Sequence, residues 1–516
     1  MLTPTDLFQI IKGKVKRQWI LAFCSTVTVG LLVHMPVMLS DIPNHDGLAS
    51  MYFDQNMITS GRWFLTVACG FSSYYTLPWL IGLLGLLYLG LASVALTELL
   101  EVDRGWAIAL NGGLLAAFPA LASTFAYVFT LDGYMLAVLL AVLAVLLTKK
   151  YRRGFLPGAV CLALSLGIYQ AYLAFAMILS LFAVLMLFAE EGKVSEKVRG
   201  ALRYLYMGAL GSGLYYIMLR LLLLIQGKEL ASYQGINEMT SGTAGRGLWE
   251  VIGGLYRDFA AFTLKGNVLY QNWISFGALC LLVLASAILA LALVSCRKWW
   301  KNPLFFAIMV VALVLMPVVT NVILLVSPGV TYHLLMRYQW VLYLIGLTAF
   351  VSRQSDRVRK GVVLEWAAVI AVFVLVFFYG VADNIGYTNL QRRYEKTYAY
   401  CVRLLDRIEQ TEGYYQGIPI AMIGVVGNEQ FPATDITLSA TSNMIGLNGD
   451  FLLYTGANYR AFMEHYLGAT LNILPPEAMS EMYYSEEYTA MDSFPGEDSI
   501  RIIDGIMYIK TENVGR

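Results

Sequence analysis

Long apolar runs fill most of the chain, and short polar stretches separate them. At about 20 residues per bilayer crossing, the pattern predicts about eleven spans. They fall near 19–39, 77–99, 106–127, 131–148, 155–170, 171–188, 201–225, 272–295, 303–326, 334–352 and 362–382. The fifth and sixth are the least distinct, because 155–188 is one apolar stretch interrupted only by "GIYQAY". The runs show almost no two-residue alternation. They are therefore expected to cross as helices, which satisfy their own backbone in lipid.

Composition agrees with this pattern. Hydrophobic residues make up 58% of the chain and charged residues 14%, with a mean hydropathy of +0.63. A soluble globular chain has about 45–50% apolar and about 25% charged residues, so that class is excluded. The net charge of +1 says nothing about partners, and no nucleic-acid partner is expected. None of the six cysteines forms a CxxC pair, so neither a zinc site nor a disulfide framework is indicated. The first apolar run lacks a small-residue cleavage site and reads as a retained anchor.

The placement of charge orients the spans. Basic clusters stand at Lys12/Lys14/Lys16/Arg17, Lys149/Lys150/Arg152/Arg153, Lys193/Lys197/Arg199, Arg297/Lys298/Lys301 and Arg353/Arg357/Arg359/Lys360. With the N-terminus inside, all five fall on the cytoplasmic side. The expected organisation is then a cytoplasmic N-terminus at 1–18, a polytopic catalytic domain at 19–382 and an extracytoplasmic α/β domain at 383–516. That last region opens on the helical stretch "NLQRRYEKTYAYCVRLLDRIEQ" and continues into the strand-like "IPIAMIGVV". Its "IRIIDGIMYI" places Asp504-Gly505 between two apolar runs, a hairpin signal. The "GVVGNEQ" stretch has the wrong glycine spacing for a dinucleotide fingerprint.

Polar residues on the expected outer face are few. The first loop, "SDIPNHDGLAS" and onward, supplies Asp41, Asn44, His45, Asp46, Asp54 and Arg62. The short "VFTLDG" supplies Asp132, and the interrupted stretch supplies Tyr169 and Gln170. His333 and Arg337, four residues apart before the tenth span, are expected to share one helix face. Each has a bland reading. Asn44 or Asp46 would cap the following helix, Arg62 and Arg337 would reach the headgroups, and Tyr169 would belong to an interfacial belt. If the segment after Asp46 is helical, Asp54 lies near the same face about two turns on.

Carboxylates and cations at a membrane boundary suit group transfer from a lipid-linked phosphate donor. Fixed positive charge stabilises the leaving phosphate, and a carboxylate takes the proton of the incoming hydroxyl. Arg62, Arg337 and His333 are the candidate phosphate ligands, and Asp46, Asp132 and Asp54 the candidate catalytic acids. Asn44, His45, Tyr169 and Gln170 are the candidate sugar or lipid contacts. No metal or other cofactor is expected, because hard-cation sites gather several oxygen ligands and none is visible here. The competing reading is a transporter or flippase of lipid-linked saccharides, which calls for mid-span charges and related halves.

The stretch "IPNHDGLASMYFDQNMITSGRWFLTVA" resembles the first-loop signature of GtrII-type glucosyltransferase-domain proteins. "FTLDGYMLAVLLAVLAVLL" and "SLGIYQAYLAFAMILSLFAVL" are similar to that family's second-loop acid and Tyr-Gln segment. The ending "MDSFPGEDSIRIIDGIMYIK" is similar to that of Gram-positive members. The resemblance implies a GT-C-like fold and transfer of a glucosyl or related sugar from a polyprenyl-phosphate donor to a surface glycan. The reaction would lie outside the bacterial cytoplasmic membrane. By the same resemblance the family's loop acid falls on Asp46, its Gly-Arg element on Arg62 and its second-loop acid on Asp132. His45 stands where a second Asp or Asn is common, which leaves a single-base mechanism.

Overall fold

The computed structural model describes residues 3–231, 247–296, 303–327, 329–423, 441, 443–447, 453 and 455–511. The Arg297/Lys298/Lys301 cluster and the "GVVGNEQ" stretch lie outside the described residues. The chain is an α-helical polytopic membrane protein with a small sheet near its C-terminus.

In chain order the principal helices are α1 (Arg17–Leu39), α2 (His45–Ala49), α3 (Leu65–Tyr74), α4 (Pro78–Leu99), α5 (Gly105–Ala117), α6 (Pro119–Phe125), α7 (Leu131–Lys150) and α8 (Phe155–Ile168). They are followed by α9 (Leu173–Ala189), α10 (Val194–Gln226), α11 (Leu248–Lys265), α12 (Trp273–Cys296), α13 (Pro303–Thr320), α14 (Val341–Gln354), α15 (Gly361–Gln410) and α16 (Gly456–Leu467). Among the described residues eight helices are long and apolar enough to cross a membrane, built on α1, α4, α7, α9, α10, α12, α14 and α15. The α5–α6 pair makes a ninth if its 45° bend is one broken span. The expected spans near 155–170 and 303–326 are helical but shorter, at 14 and 18 residues.

Local chemistry sets the ends of these helices. Proline at the first helical position, where no N–H is needed, starts α4 and α6. Pro119 also holds Phe118 in extended backbone, and this parts α6 from α5. Gly227 in left-handed backbone stops α10.

The described residues pack around two cores. The larger fills the bundle and includes Leu86, Leu114, Val138, Phe175, Tyr338 and Leu375. The smaller gathers Tyr400, Leu404, Ile420, Tyr459, Phe462, Met507 and Ile509, and it takes in Leu48 from the first loop. The 50-residue α15 feeds both. At about 1.5 Å per residue it is about 75 Å long, more than twice a hydrocarbon core. Residue 383, the expected start of the C-terminal domain, falls inside this continuous helix.

The sheet of the smaller core has the order β1-β3-β2 for β1 (Ile420–Ile423), β2 (Ile500–Ile503) and β3 (Ile506–Lys510). The expected hairpin joins β2 to β3, with Asp504 and Gly505 both in left-handed backbone as a two-residue turn requires. A capping box between Thr455 and Asn458 starts α16.

Candidate active site

The polar residues of interest collect at the end of the bundle that meets the smaller core. Here the first loop wraps the start of α7. Asn44 sets its entry: its Oδ1 accepts the Gly47 N–H at 2.8 Å and its Nδ2 donates to the Ala126 carbonyl at 2.8 Å. The cap of α2 is therefore Asn44, and Asp46 does not take that role. The Asp46 carboxylate lies 3.4 Å from His45 Nε2 with its side chain 54% exposed, in the first turn of α2, where backbone N–H groups favour negative charge.

The helical continuation from Asp46 to Asp54 does not form. α2 ends at Ala49, and Tyr52 and Gln55 adopt left-handed backbone. Side chains take over the hydrogen bonds that a helix would need. Gln55 Nε2 donates to Ser73 Oγ, Thr66 Oγ1 to the Gln55 carbonyl, and the Asn56 N–H to Asp54 Oδ1 at 3.1 Å. The two carboxylates thus share no helix face.

Arg62 sits on a tyrosine shelf. Its guanidinium lies 4.7 Å from the Tyr169 ring centroid, and Nη1 donates to Tyr134 Oη at 3.3 Å. The Tyr134 and Tyr169 rings are parallel with centroids 4.6 Å apart. A clamp fixes the turn just before Arg62. Gln170 Nε2 donates to the Ser60 carbonyl and to Tyr215 Oη, both at 3.0 Å, and Tyr215 Oη donates to the Gly61 carbonyl at 3.1 Å. Gly61 has φ +76, and a Cβ there would stand 2.4 Å from Gln170 Nε2 and 2.7 Å from Tyr215 Oη. Only glycine fits this turn. Gln170 is accordingly committed to backbone and phenol, and Tyr169 to Arg62.

Asp132 lies in the first turn of α7 at 2% exposure. It accepts Ser72 Oγ at 2.5 Å and the Gly133 N–H at 2.9 Å. Arg337, 8% exposed, forms a two-pronged pair with Asp258 of α11 at 2.7 and 2.8 Å. It is sandwiched between Tyr332 and Phe262, with centroids at 3.8 and 4.8 Å. The segment Leu334–Trp340 is a 3-10 turn with Arg337 itself non-helical and His333 as its cap. At three residues per turn, positions four apart point in different directions, so His333 and Arg337 do not share a helix face. This turn packs against Gln170–Tyr172, and Tyr172 in turn meets the Tyr134 and Tyr169 rings edge-on.

The family model for glucosyl transferase GtrII matches residues 35–353. The chain belongs to that family. No curated protein and no solved structure matches it. Membership in the GtrII family makes it a glycosyltransferase, and the matched stretch contains every residue of the first loop, the tyrosine shelf and the Arg337 turn. All of α15, and every residue of the smaller core except Leu48, follow the matched stretch.

Three polar features of this GtrII bundle escaped the sequence reading. Tyr215 looked like one tyrosine among 33, and its partner Gln170 lies 45 residues away. Asp258 lies 79 residues from Arg337 in the chain, so no window of sequence holds the pair. Asp383 marked only the end of an apolar run, yet it is fully buried with neither oxygen hydrogen-bonded. One turn further along α15, Tyr387 donates to His34 Nδ1 at 2.6 Å, while His34 Nε2 donates to the Ala116 carbonyl at 2.7 Å. That contact caps a carbonyl freed by the α5–α6 break. Among the described residues no three His, Cys, Asp or Glu side chains converge as a metal site.

Proposed function

We propose that the protein transfers a glucosyl-type residue from a polyprenyl-phosphate donor to a cell-surface glycan at the outer face of the bacterial cytoplasmic membrane. The observation that carries this reading is one loop that bears both an accessible carboxylate, Asp46, and an arginine held on tyrosines, Arg62, in a chain of the GtrII family. The polyprenyl tail lies in the bilayer between helices, and the donor phosphate meets Arg62. Asp46 removes the proton of the acceptor hydroxyl as its oxygen bonds the anomeric carbon. The bond from that carbon to the phosphate oxygen breaks, and the phosphate leaves with the electron pair, its charge held by Arg62.

Asp46 is preferred as base on accessibility, since Asp132 is buried against Ser72 and Asp54 caps its own turn. The clamp by Gln170 and Tyr215 keeps Arg62 aimed, and Arg337 acts by pinning α11. The basic clusters support an inside N-terminus. We divide the chain into a cytoplasmic N-terminus at 1–18, a catalytic bundle at 19–382 and an outer C-terminal module at 383–516.

Discontinuous helices such as the bent α5–α6 pair are also a feature of transporters, so the test separates the two readings. Purified protein in detergent is given radiolabelled polyprenyl-phosphate-glucose with and without acceptor glycan. Acceptor-dependent release of polyprenyl phosphate with label moving into glycan is the expected result. Intact donor after incubation, together with donor translocation in proteoliposomes, would replace transferase with transporter.

A further inference from the structure

Where the first loop meets the C-terminal module, exposed rings and a carboxylate share one surface. Tyr52 has φ +56, a backbone conformation that bulky residues seldom adopt, and its side chain is left 58% exposed. Its ring lies 5.4 Å from that of His465 on α16 and 6.2 Å from that of Tyr74 at the end of α3. Asp41, just beyond α1, accepts Tyr466 Oη at 3.2 Å. Partial burial raises the Asp41 carboxyl above the usual range, against the opposing pull of Tyr466 and the nearby His465.

This junction is built, not a chance contact. Asn458 Nδ2 donates to the His45 carbonyl at 3.2 Å, and Leu48 of α2 is part of the module's core. Tyr466 is packed against Tyr394 and Phe462. The loop that carries Asp46 and the module that carries His465 are therefore joined in one surface. Headgroup anchoring explains exposed aromatics along α3. It does not explain an exposed tyrosine in left-handed backbone set against a histidine of the module.

A flat ring beside a carboxylate and an imidazole suits a saccharide. The C–H face of a pyranose packs on the ring, and its hydroxyls donate to the carboxylate in charge-assisted bonds. We propose that Tyr52, His465 and Asp41 form the acceptor-glycan subsite and lead the glycan's reactive hydroxyl toward Asp46. This deepens the transfer reading and rests on it.

The test uses full-length protein in detergent and wall-polysaccharide fragments released from the bacterium that encodes it. Binding is measured without donor by saturation-transfer NMR and calorimetry, and transfer is measured separately. Tyr52→Gly is the informative variant, because glycine accepts the left-handed backbone and preserves the loop. Tyr52→Gly is expected to weaken fragment binding and raise the acceptor KM about tenfold, with donor affinity unchanged. Tyr52→Trp restores binding, and Asp41→Asn weakens it. The subsite is overturned if wild type binds no fragment, or if Tyr52→Gly binds fragments as wild type does. It is equally overturned if Tyr52→Gly loses only affinity for phosphatidylglycerol vesicles. Fragment binding that depends on Tyr52 in a protein that releases no polyprenyl phosphate would overturn the transfer reading and the acceptor role with it, and leave Tyr52, His465 and Asp41 as a glycan-binding surface only.

Discussion

The two ends of the helix bundle manage charge in opposite ways. At the end where α1 begins, acids and bases meet directly: Lys16 with Glu98 at 2.6 Å, Lys149 and Arg353 with Glu101 at 2.7 and 2.5 Å, and Arg104 with Glu365 at 2.9 Å and with Asp356. At the other end charged groups rest on rings and hydroxyls. Arg62 lies on tyrosines, Asp132 on a serine, and Asp383 is buried with neither oxygen hydrogen-bonded. A self-neutralised end fastens helices. In the transfer reading proposed above, the end whose polar groups are held by neutral scaffolding is the one that receives the donor phosphate, and departures from the simplest satisfied structure concentrate at functional sites.

Arg337 is the exception that sharpens the contrast, because it is a buried ion pair at the site end. Arg337→Ala should lower stability by about 3 kcal/mol, near the low end for breaking a buried pair because Asp258 keeps contact with solvent. Thermal unfolding in detergent reads this, and a loss as small as that of an exposed pair would remove the pinning role from Arg337. Gly61→Ala places a side chain in left-handed backbone and against the clamp, and should cost about 1–3 kcal/mol. It should also raise the donor KM, because the turn that aims Arg62 shifts. A fully active Gly61→Ala protein would contradict the clamp. At the opposite end Glu101→Gln should cost only about 0–1 kcal/mol, since these pairs are partly exposed, and should leave turnover unchanged.

A smaller effect is expected from Asp41. Its folded carboxyl is raised above the ordinary 3.8, mainly by burial, so the folded state holds the proton more tightly than the unfolded chain does. That contribution is fully present below pH 3.8 and is lost as pH rises through the raised value. Asp41→Asn should flatten stability across this window, as measured by unfolding midpoints at stepped pH. An unchanged pH slope would mean the carboxyl is not perturbed.

The apolar runs made the membrane helices legible, although among the described residues eight or nine rather than about eleven are long enough to cross. Asp504-Gly505 made the hairpin legible, and both signals are local. The same locality limits what the first loop reveals. "NHDG" offers two capping residues, and only the fold assigns the cap to Asn44 by bringing Ala126 within reach of its amide. The Arg62 shelf joins α7 to the Tyr169 turn, and the clamp joins Ser60 to Gln170 across 110 residues, a pairing that no window of sequence contains. The helix face expected for His333 and Arg337 failed because i, i+4 spacing presumes an α-helix, and this turn is tighter. Asp383 stayed hidden because an acid at the end of an apolar run reads as a boundary.

The central claim is that the loop acid Asp46 does the chemistry at the scaffolded end. The most direct measurement is acceptor-dependent release of polyprenyl phosphate by Asp46→Asn beside wild type, with binding of donor and acceptor checked in both. The account predicts a fall of about 10²–10⁴ in turnover with both substrates still bound. Turnover equal to wild type would contradict it and move the base to another carboxylate of this end.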